Sequence, residues 1–489
     1  MHLRLSIRDA LLLLALTAAA LVLHGYHYGV EDQFVYLPAI EQLLDPALFP
    51  HDAEFFLLQT RWMLFDEAVA LSIGVTHLPL GVAVFLWHVL SIFLLLLGSW
   101  ELAQRCFADR VAQWAAVALV AVMLLLAVAG TLLFLADQYL HPRTLATAAL
   151  LFAFVAVLDR KPRALAWFLV AGVLHPTMAA AGGLHLAFQA WKPPSPAEDS
   201  SRWNCGALAL APLLLLGRIA NPAWHEILAT RSFLYPQRWP WYAWLGVVAP
   251  LALLAWFARL AQRDGAALLE HVSRRLLFSG ILGVVAGLAI TTVPAFERLV
   301  PTEPMRTLHL VTLLAVLLSG GMLGRRVLKR QPMRWVLLFL PLCLVMFFAQ
   351  RQLFAGSPHL EWPGAPARNA WCEAFEWARQ NTPRDALFAL DPRHQELPGQ
   401  DFHSFRALAQ RSMLADYSKD RAVAANFPQL APAWLAQTRA RENWRQFTLD
   451  DFRRLHREFG VTWVVISQPG LPGFDCPFRN DAVLVCRIP

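Results

Sequence analysis

The chain has 489 residues, 57% of them hydrophobic and 16% charged, with a formal charge of +7 at pH 7 and a mean hydropathy of +0.44. A soluble protein of this length carries about a quarter charged residues, so a purely soluble fold is excluded. The positive charge is nearly all arginine, with Lys161, Lys192, Lys329 and Lys419 the only lysines, and it falls in short clusters between apolar runs. Membrane topology explains that pattern and nucleic-acid binding does not.

The apolar runs are confined to roughly the first 350 residues. Bilayer hydrocarbon cannot satisfy free backbone N–H and C=O groups, so these runs are expected to be helices. Candidate spans fall near 9–25, 74–98, 112–135, 144–158, 164–175, 177–191, 205–218, 241–257, 276–293, 307–323 and 335–350, about eleven in all. Several are short for a full crossing, which allows tilted or re-entrant segments. With Arg4 and Arg8 placed in the cytoplasm, alternate loops hold Arg105 and Arg110, then Arg160, Lys161 and Arg163, then Lys192 and Arg202. The series continues through Arg259, Arg263, Arg274 and Arg275 and ends on Arg325, Arg326, Lys329, Arg330 and Arg334. By the positive-inside rule the N-terminus is cytoplasmic and everything after about 351 is extracytoplasmic. Trp191, Trp203, Trp239, Trp241, Trp244 and Trp335 fall at proposed span ends, where interfacial aromatics belong. A cleaved signal peptide is the competing reading of the first run, but no strong small-residue site precedes His24.

Between the first two spans lies a long outer loop, 24–67, whose apolar spacing predicts two helices along the membrane surface, broken near Asp45-Pro46 and Phe49-Pro50. Later outer stretches are 137–143 (DQYLHPR), 218–239 and 294–306. The remainder, 351–489, has ordinary globular composition and reads as an α/β domain large enough for its own core. Helices are predicted over 370–380, 419–427, 431–441 and 449–459, with strands at 386–390, 412–415 and 461–467 and a closing hairpin about Asn480-Asp481. Counting outward from that turn sets Cys476 opposite Cys486, at a spacing a disulfide can bridge in an oxidising compartment. Cys372 is then the free thiol of the domain, and no cysteine has metal-site spacing.

A first span followed by a long outer loop with an acidic pair near its start, Glu31-Asp32 in EDQFVYLP, resembles the GT-C superfamily of membrane glycosyltransferases. So does the layout of about eleven spans ending in an outer domain. The stretches WARQNTPRDALFALDP, FRALAQRSMLAD and FGVTWVVIS are similar to tail domains of bacterial GT-C-like proteins. The resemblance implies a polytopic α-helical protein of the bacterial inner membrane, acting at its outer face. There it would move a sugar from a polyprenyl-phosphate-linked donor to a glycan, lipid or protein acceptor. It also implies roles for residues. Asp32 matches the first-loop acid, with Glu31 beside it, and a carboxylate there serves as general base or holds a metal near the phosphate. Asp137 stands where members place a second acid, and Asp52 belongs to a further polar cluster with His51. His141, Arg143, Arg298 and Arg306 are the outer-side cationic or hydrogen-bonding groups for the phosphate.

Each residue also has a structural explanation. Asp32 suits the start of a surface helix, Asp52 suits an N-cap, and Asp137 with Arg143 suits a solvated pair at a span end. His175-Pro176 suits a tight outer turn, and Arg411 suits a structural ion pair. The second outer stretch carries Asp-Gln in place of paired acids, so the need for a divalent metal such as Mg or Mn stays open and no other cofactor is indicated. No tryptophan-aspartate-rich acceptor motif is present, which argues against protein N-glycosylation. The rival classes are a lipid-linked glycan transporter and a non-catalytic scaffold in cell-envelope polysaccharide assembly. A transporter predicts several ionisable residues deep in spans and an internal repeat; the sequence holds few such residues and no repeat. Soluble-enzyme signatures such as G-x-G-x-x-G, the P-loop, H-E-x-x-H and G-x-S-x-G are missing from any fitting context.

Overall fold

A computed structural model describes residues 5–191, 221–367 and 369–489. The expected span at 205–218, with Cys205, Trp203, Lys192 and Arg202, lies outside them. In chain order the first part gives α1 (Ile7–His24), α2 (Gln33–Leu44), α3 (Glu54–Thr60), α4 (Phe65–Thr76), α5 (Leu80–Cys106), α6 (Arg110–Val122) and α7 (Pro142–Leu158). It continues with α8 (Arg163–Leu174), α9 (Pro176–Ala190), α10 (Pro222–Ala229), α11 (Trp241–Arg263), α12 (Ala267–Thr292), α13 (Thr307–Leu323) and α14 (Pro332–Leu353). Among the described residues, six helical segments are long and apolar enough to cross a bilayer: α1, α5, α11, α12, Pro304–Leu328 around α13, and α14. Helices α6, α7 and α8 are apolar but shorter.

The expected span at 112–135 is only half a helix. At about 1.5 Å per residue, the 13 residues of α6 reach about two thirds of the way across a hydrocarbon core of about 30 Å. Beyond Val122 the chain runs irregularly to Leu140, with a bridge between Ala127 and Phe134. Val128 donates to Leu133 O, Leu135 to Leu126 O and Ala136 to Leu124 O. Non-helical backbone at this depth is tolerated because protein covers it and its polar groups pair internally. A close approach enforces the shape, since a Cβ on Gly246 of α11 would lie 2.7 Å from the Ala129 Cα. Trp239 is buried in the same region and packs against Gly130, so it is not one of the interfacial tryptophans.

The long first loop also differs from expectation. It forms three helices, α2 to α4, and α2 is sandwiched rather than laid on a membrane surface. Its residues Gln33, Phe34, Val35, Tyr36, Leu37, Pro38, Ala39, Ile40 and Glu41 are all buried. Apolar side chains around the whole circumference need cover on every side. That cover comes from α3, α4 and the C-terminal part, in a shared core that includes Ile40, Phe56, Val69, Ala407, Val423 and Trp434.

The C-terminal part contains α15 (Ala370–Asn381), β1 (Leu387–Ala389), α16 (Phe405–Ala409), β2 (Ser412–Met413), α17 (Lys419–Asn426), α18 (Ala431–Arg439), α19 (Leu449–Phe459), β3 (Trp463–Ser467), β4 (Asp475–Arg479) and β5 (Val483–Arg487). The sheet order is β2-β1-β3-β5-β4. The pairs β1–β2 and β1–β3 are parallel, and β5 runs antiparallel to both β3 and β4. Cys476 and Cys486 form a disulfide across the last hairpin, where a register shift between Asp475 and Phe478 brings them level. Cys372 is a buried free thiol.

The two parts dock through the stretch just after α1. Tyr26 bridges to Leu360 and Val30 to His403, while Glu31 N donates to Phe402 O at 3.0 Å. Beneath this, the Glu361 carboxylate takes the Tyr28 backbone N–H at 3.0 Å and lies 3.1 Å from both His27 Nδ1 and His403 Nε2. The backbone carrying Glu31 and Asp32 is therefore held by the C-terminal part.

Candidate active site

A cavity of about 520 Å³ opens where the first loop, the irregular segment after α6, one end of the helical bundle and α17 meet. Glu31 has a left-handed backbone, φ 52°, a conformation unusual for a residue with a Cβ. Asp32 follows as the residue before α2, and its side chain makes no capping bond to that helix. Its oxygens turn into the cavity instead. Asp32 Oδ1 lies 2.8 Å from Lys419 Nζ, and Glu31 Oε2 lies 2.6 Å from the same nitrogen. Asp32 Oδ2 is 3.1 Å from His141 Nε2 and accepts from the Tyr139 hydroxyl at 3.4 Å.

The His141 tautomer follows from its neighbours. Its Nδ1 caps α7 by accepting the Arg143 backbone N–H at 2.9 Å, so the proton sits on Nε2 and is donated to Asp32. Burial and the adjacent Arg143 lower the His141 pKa, which keeps the ring neutral and consistent with that assignment. Burial alone pushes the Asp32 carboxyl up, but Lys419, with His141 and Arg143 behind it, holds it well below the usual carboxylate range. Asp32 therefore remains an anion, with a third of its side chain open to the cavity. Burial likewise works against the Lys419 ammonium, yet Asp32 and Glu31 hold its pKa above the ordinary lysine value.

Arginines complete the wall. Arg143 Nη2 donates to both oxygens of Asp137, at 2.6 and 2.8 Å, so this pair is buried rather than solvated. Glu303, itself left-handed at φ 56°, accepts from Arg306 Nε at 2.9 Å and lies 3.6 Å from Arg231 Nη2. Arg421 rests on the Tyr417 ring, 4.3 Å from its centroid. His175, in the turn before α9, also lines the cavity and stacks on His141 with centroids 5.8 Å apart. Arg143 Nε, Arg231 Nη1, Arg421 Nε and Gln138 Nε2 are buried donors with no acceptor among the described residues.

The cavity thus gathers Glu31, Asp32, Asp137, His141, Arg143 and Arg306. It does not gather three other expected residues. Asp52 Oδ2 is taken by Arg406 and by the Met413 backbone N–H, while Arg406 grips Asp420 at 2.8 and 2.9 Å. Asp52 is therefore a buried structural side chain, held by Arg406 and the Met413 backbone rather than capping a helix or facing the cavity. His51 bonds the Asp385 carbonyl at 3.0 Å, pinning the first loop to the C-terminal part. Arg298 sits exposed on the turn after α12, outside the cavity lining. Arg411 bonds the carbonyls of Arg379 and Thr382 at 2.7 Å each, tying backbone rather than pairing with an acid. Lys419, Arg231 and Arg421 are the cavity residues that sequence reasoning missed.

Residues 369–442, which include Lys419 and Arg421, match the family model of a domain of unknown function (DUF6798). No curated protein matches the chain. Among solved structures, it is similar to the Archaeoglobus fulgidus oligosaccharyltransferase in complex with zinc and sulfate. That likeness has a TM-score of 0.44 at 12% identity and covers 94% of this chain and 67% of the other. A second structure of that enzyme, tethered to an acceptor peptide containing the NVT sequon, gives 0.45 at 12% identity over 95% and 69%. Likeness at this level assigns neither fold nor activity.

Proposed function

We propose that the chain is a GT-C type glycosyltransferase of the bacterial inner membrane, crossing it about eleven times. It takes a sugar from a polyprenyl-phosphate-linked donor and passes it to an acceptor at the outer face. The observation that carries this reading is a first-loop carboxylate, paired with Lys419, beside buried arginine N–H groups that have no acceptor among the described residues. Buried donors are nearly always paired, so these call for a ligand rich in acceptor oxygens, and a phosphate supplies them. The same cavity is lined by Leu132, Leu133, Phe134, Phe233, Leu353 and Phe354. An apolar wall next to a phosphate site suits the first isoprene units of a lipid carrier.

In this reading the acceptor oxygen forms a bond to the sugar C1 as the C1–O bond to phosphate breaks. The bonding pair leaves with the lipid phosphate, whose charge faces Arg143, Arg231 and Arg306. The acceptor proton passes to Asp32. A carboxylate held this far below its usual pKa is a weak base, so proton transfer comes late, once bonding to C1 has acidified the acceptor. His141 Nε2–H fixes which Asp32 lone pair remains for the acceptor. Asp32→Asn in the full chain in lipid nanodiscs should lower transfer from a polyprenyl-phosphate sugar by about 10²- to 10⁴-fold, with the protein still folded. Wild-type turnover in that variant would refute the assignment.

A further inference from the structure

A carboxylate pair beside a phosphate pocket is where a divalent cation would sit, and the donor set can be tested for it. Mg and Mn ions need several oxygens with open lone pairs, arranged octahedrally for Mg at about 2.0–2.1 Å. Here Glu31 Oε2 and Asp32 Oδ1 both lie against Lys419 Nζ, at 2.6 and 2.8 Å. The other Asp32 oxygen receives His141 and Tyr139. Both Asp137 oxygens receive Arg143. Among the described residues, no group of three or more His, Cys, Asp or Glu side chains is placed to hold a metal ion. A divalent ion at the pair would also lie within a few ångströms of a fixed ammonium, a costly repulsion in a site of low dielectric.

The ammonium is well anchored. Asp416 Oδ1 accepts the backbone N–H of Ser418 and of Lys419 at 2.6 Å each, and the next residue, Asp420, is clamped by the fully buried Arg406. We propose that the Lys419 ammonium fills the cation seat of the Glu31–Asp32 pair, so that the site binds its ligand without a divalent metal. Lys419 is thereby the charge that the C-terminal part sets against the two carboxylates of the membrane part. The inference deepens the glycosyltransferase reading and rests on it for the identity of the ligand, but metal binding is measured independently of it.

The experiment uses the full chain in nanodiscs, with Mn²⁺ uptake followed by electron paramagnetic resonance and farnesyl phosphate as the lipid-phosphate probe. The wild type should hold no Mn²⁺ that Asp32→Asn releases, and should bind farnesyl phosphate equally in EDTA and in MnCl₂. Lys419→Met opens the two carboxylates and should gain Mn²⁺ uptake, abolished again by adding Asp32→Asn. Lys419→Arg keeps a cation in place and should behave as wild type, which separates loss of charge from loss of fold. One Mn²⁺ per wild-type chain, released by Asp32→Asn, would overturn the proposal. So would a Lys419→Met protein that neither gains Mn²⁺ nor changes in farnesyl phosphate affinity. A wild type that binds neither probe would sink the glycosyltransferase reading instead, and leave the seat filled by Lys419.

Discussion

Asp32 and Asp52 are two first-loop aspartates, each paired with a cation from the C-terminal part, yet their surroundings give them different work. The Asp52 side chain is 4% exposed and its Arg406 partner 0%, so nothing but protein reaches them. Asp32 is 33% exposed, beside a lysine, and a ligand can meet it. Sequence spacing could not separate the two, because both are acids just ahead of a first-loop helix and only the fold shows which one faces a cavity. The acid–cation logic was legible for Glu31, Asp32, Asp137, His141, Arg143 and Arg306. Lys419 was not, since its partners lie nearly four hundred residues away. One signal existed: in a chain that otherwise uses arginine, it is the only lysine after residue 351. The pair also sets the pH response. Because the folded pKa of Asp32 is depressed, its ionisation favours the fold above the unfolded value, about 3.9, and that contribution is lost only as pH falls through the depressed value. Wild-type transfer should therefore show no acid limb from Asp32 across pH 5–8. In Lys419→Met the strongest opposing charge is gone while the burial remains, so the carboxyl rises and an acid limb should move toward neutral pH. A pH–rate profile unchanged by that substitution would show that Lys419 does not govern the carboxylate.

At the scale of elements, the C-terminal helices and strands lay close to their expected places, because turn residues and periodicity mark them locally. Asn369 caps α15 by accepting from Trp371 and Cys372, and Thr448 with Asp451 forms a capping box on α19. The segment after α6 was illegible for the opposite reason. Its apolar run reads as a continuing helix, and tertiary cover from α11 and the loop carrying Trp239 accompanies the irregular path instead. Gly130 and Gly246 were the hints, since each lets a neighbouring chain approach where a side chain would collide. Gly25 has a sharper role. It ends α1 at φ 76°, and a Cβ there would stand 2.4 Å from the His359 carbonyl oxygen. That carbonyl is the acceptor for Tyr26 N, the first tie between the two parts. Gly25→Ala therefore combines a positive-φ penalty of about 1–3 kcal/mol with a backbone shift passed along residues 26–31. It should lower the unfolding midpoint and also weaken farnesyl phosphate binding, because Asp32 rides on the same segment. A stability loss with unchanged binding would show that the segment and the site are uncoupled.

For the whole molecule, the ion pairs divide the bundle into two ends. At one end Asp9 at the start of α1 pairs with Arg110 at the start of α6. Arg105 near the end of α5 pairs with Asp159 just after α7, at 2.7 Å, and Asp264 after α11 pairs with Arg326 beyond α13, also at 2.7 Å. These are the arginine clusters that the positive-inside rule assigned to the cytoplasm. At the other end α1 finishes, α7 begins and α14 finishes, and there the cavity and the C-terminal part sit. Arg143, Arg231 and Arg306 break the charge bias at that end, and each breaks it inside the cavity. The site and the C-terminal part must therefore lie on one side of the membrane, opposite the arginine clusters. Alkaline phosphatase, which needs an oxidising compartment to fold, should be active when fused after Pro489 and inactive when fused at Lys329 in the loop before α14. The reverse pattern would place the Cys476–Cys486 pair and the cavity in the cytoplasm, and a donor presented at the outer face could not then reach Asp32.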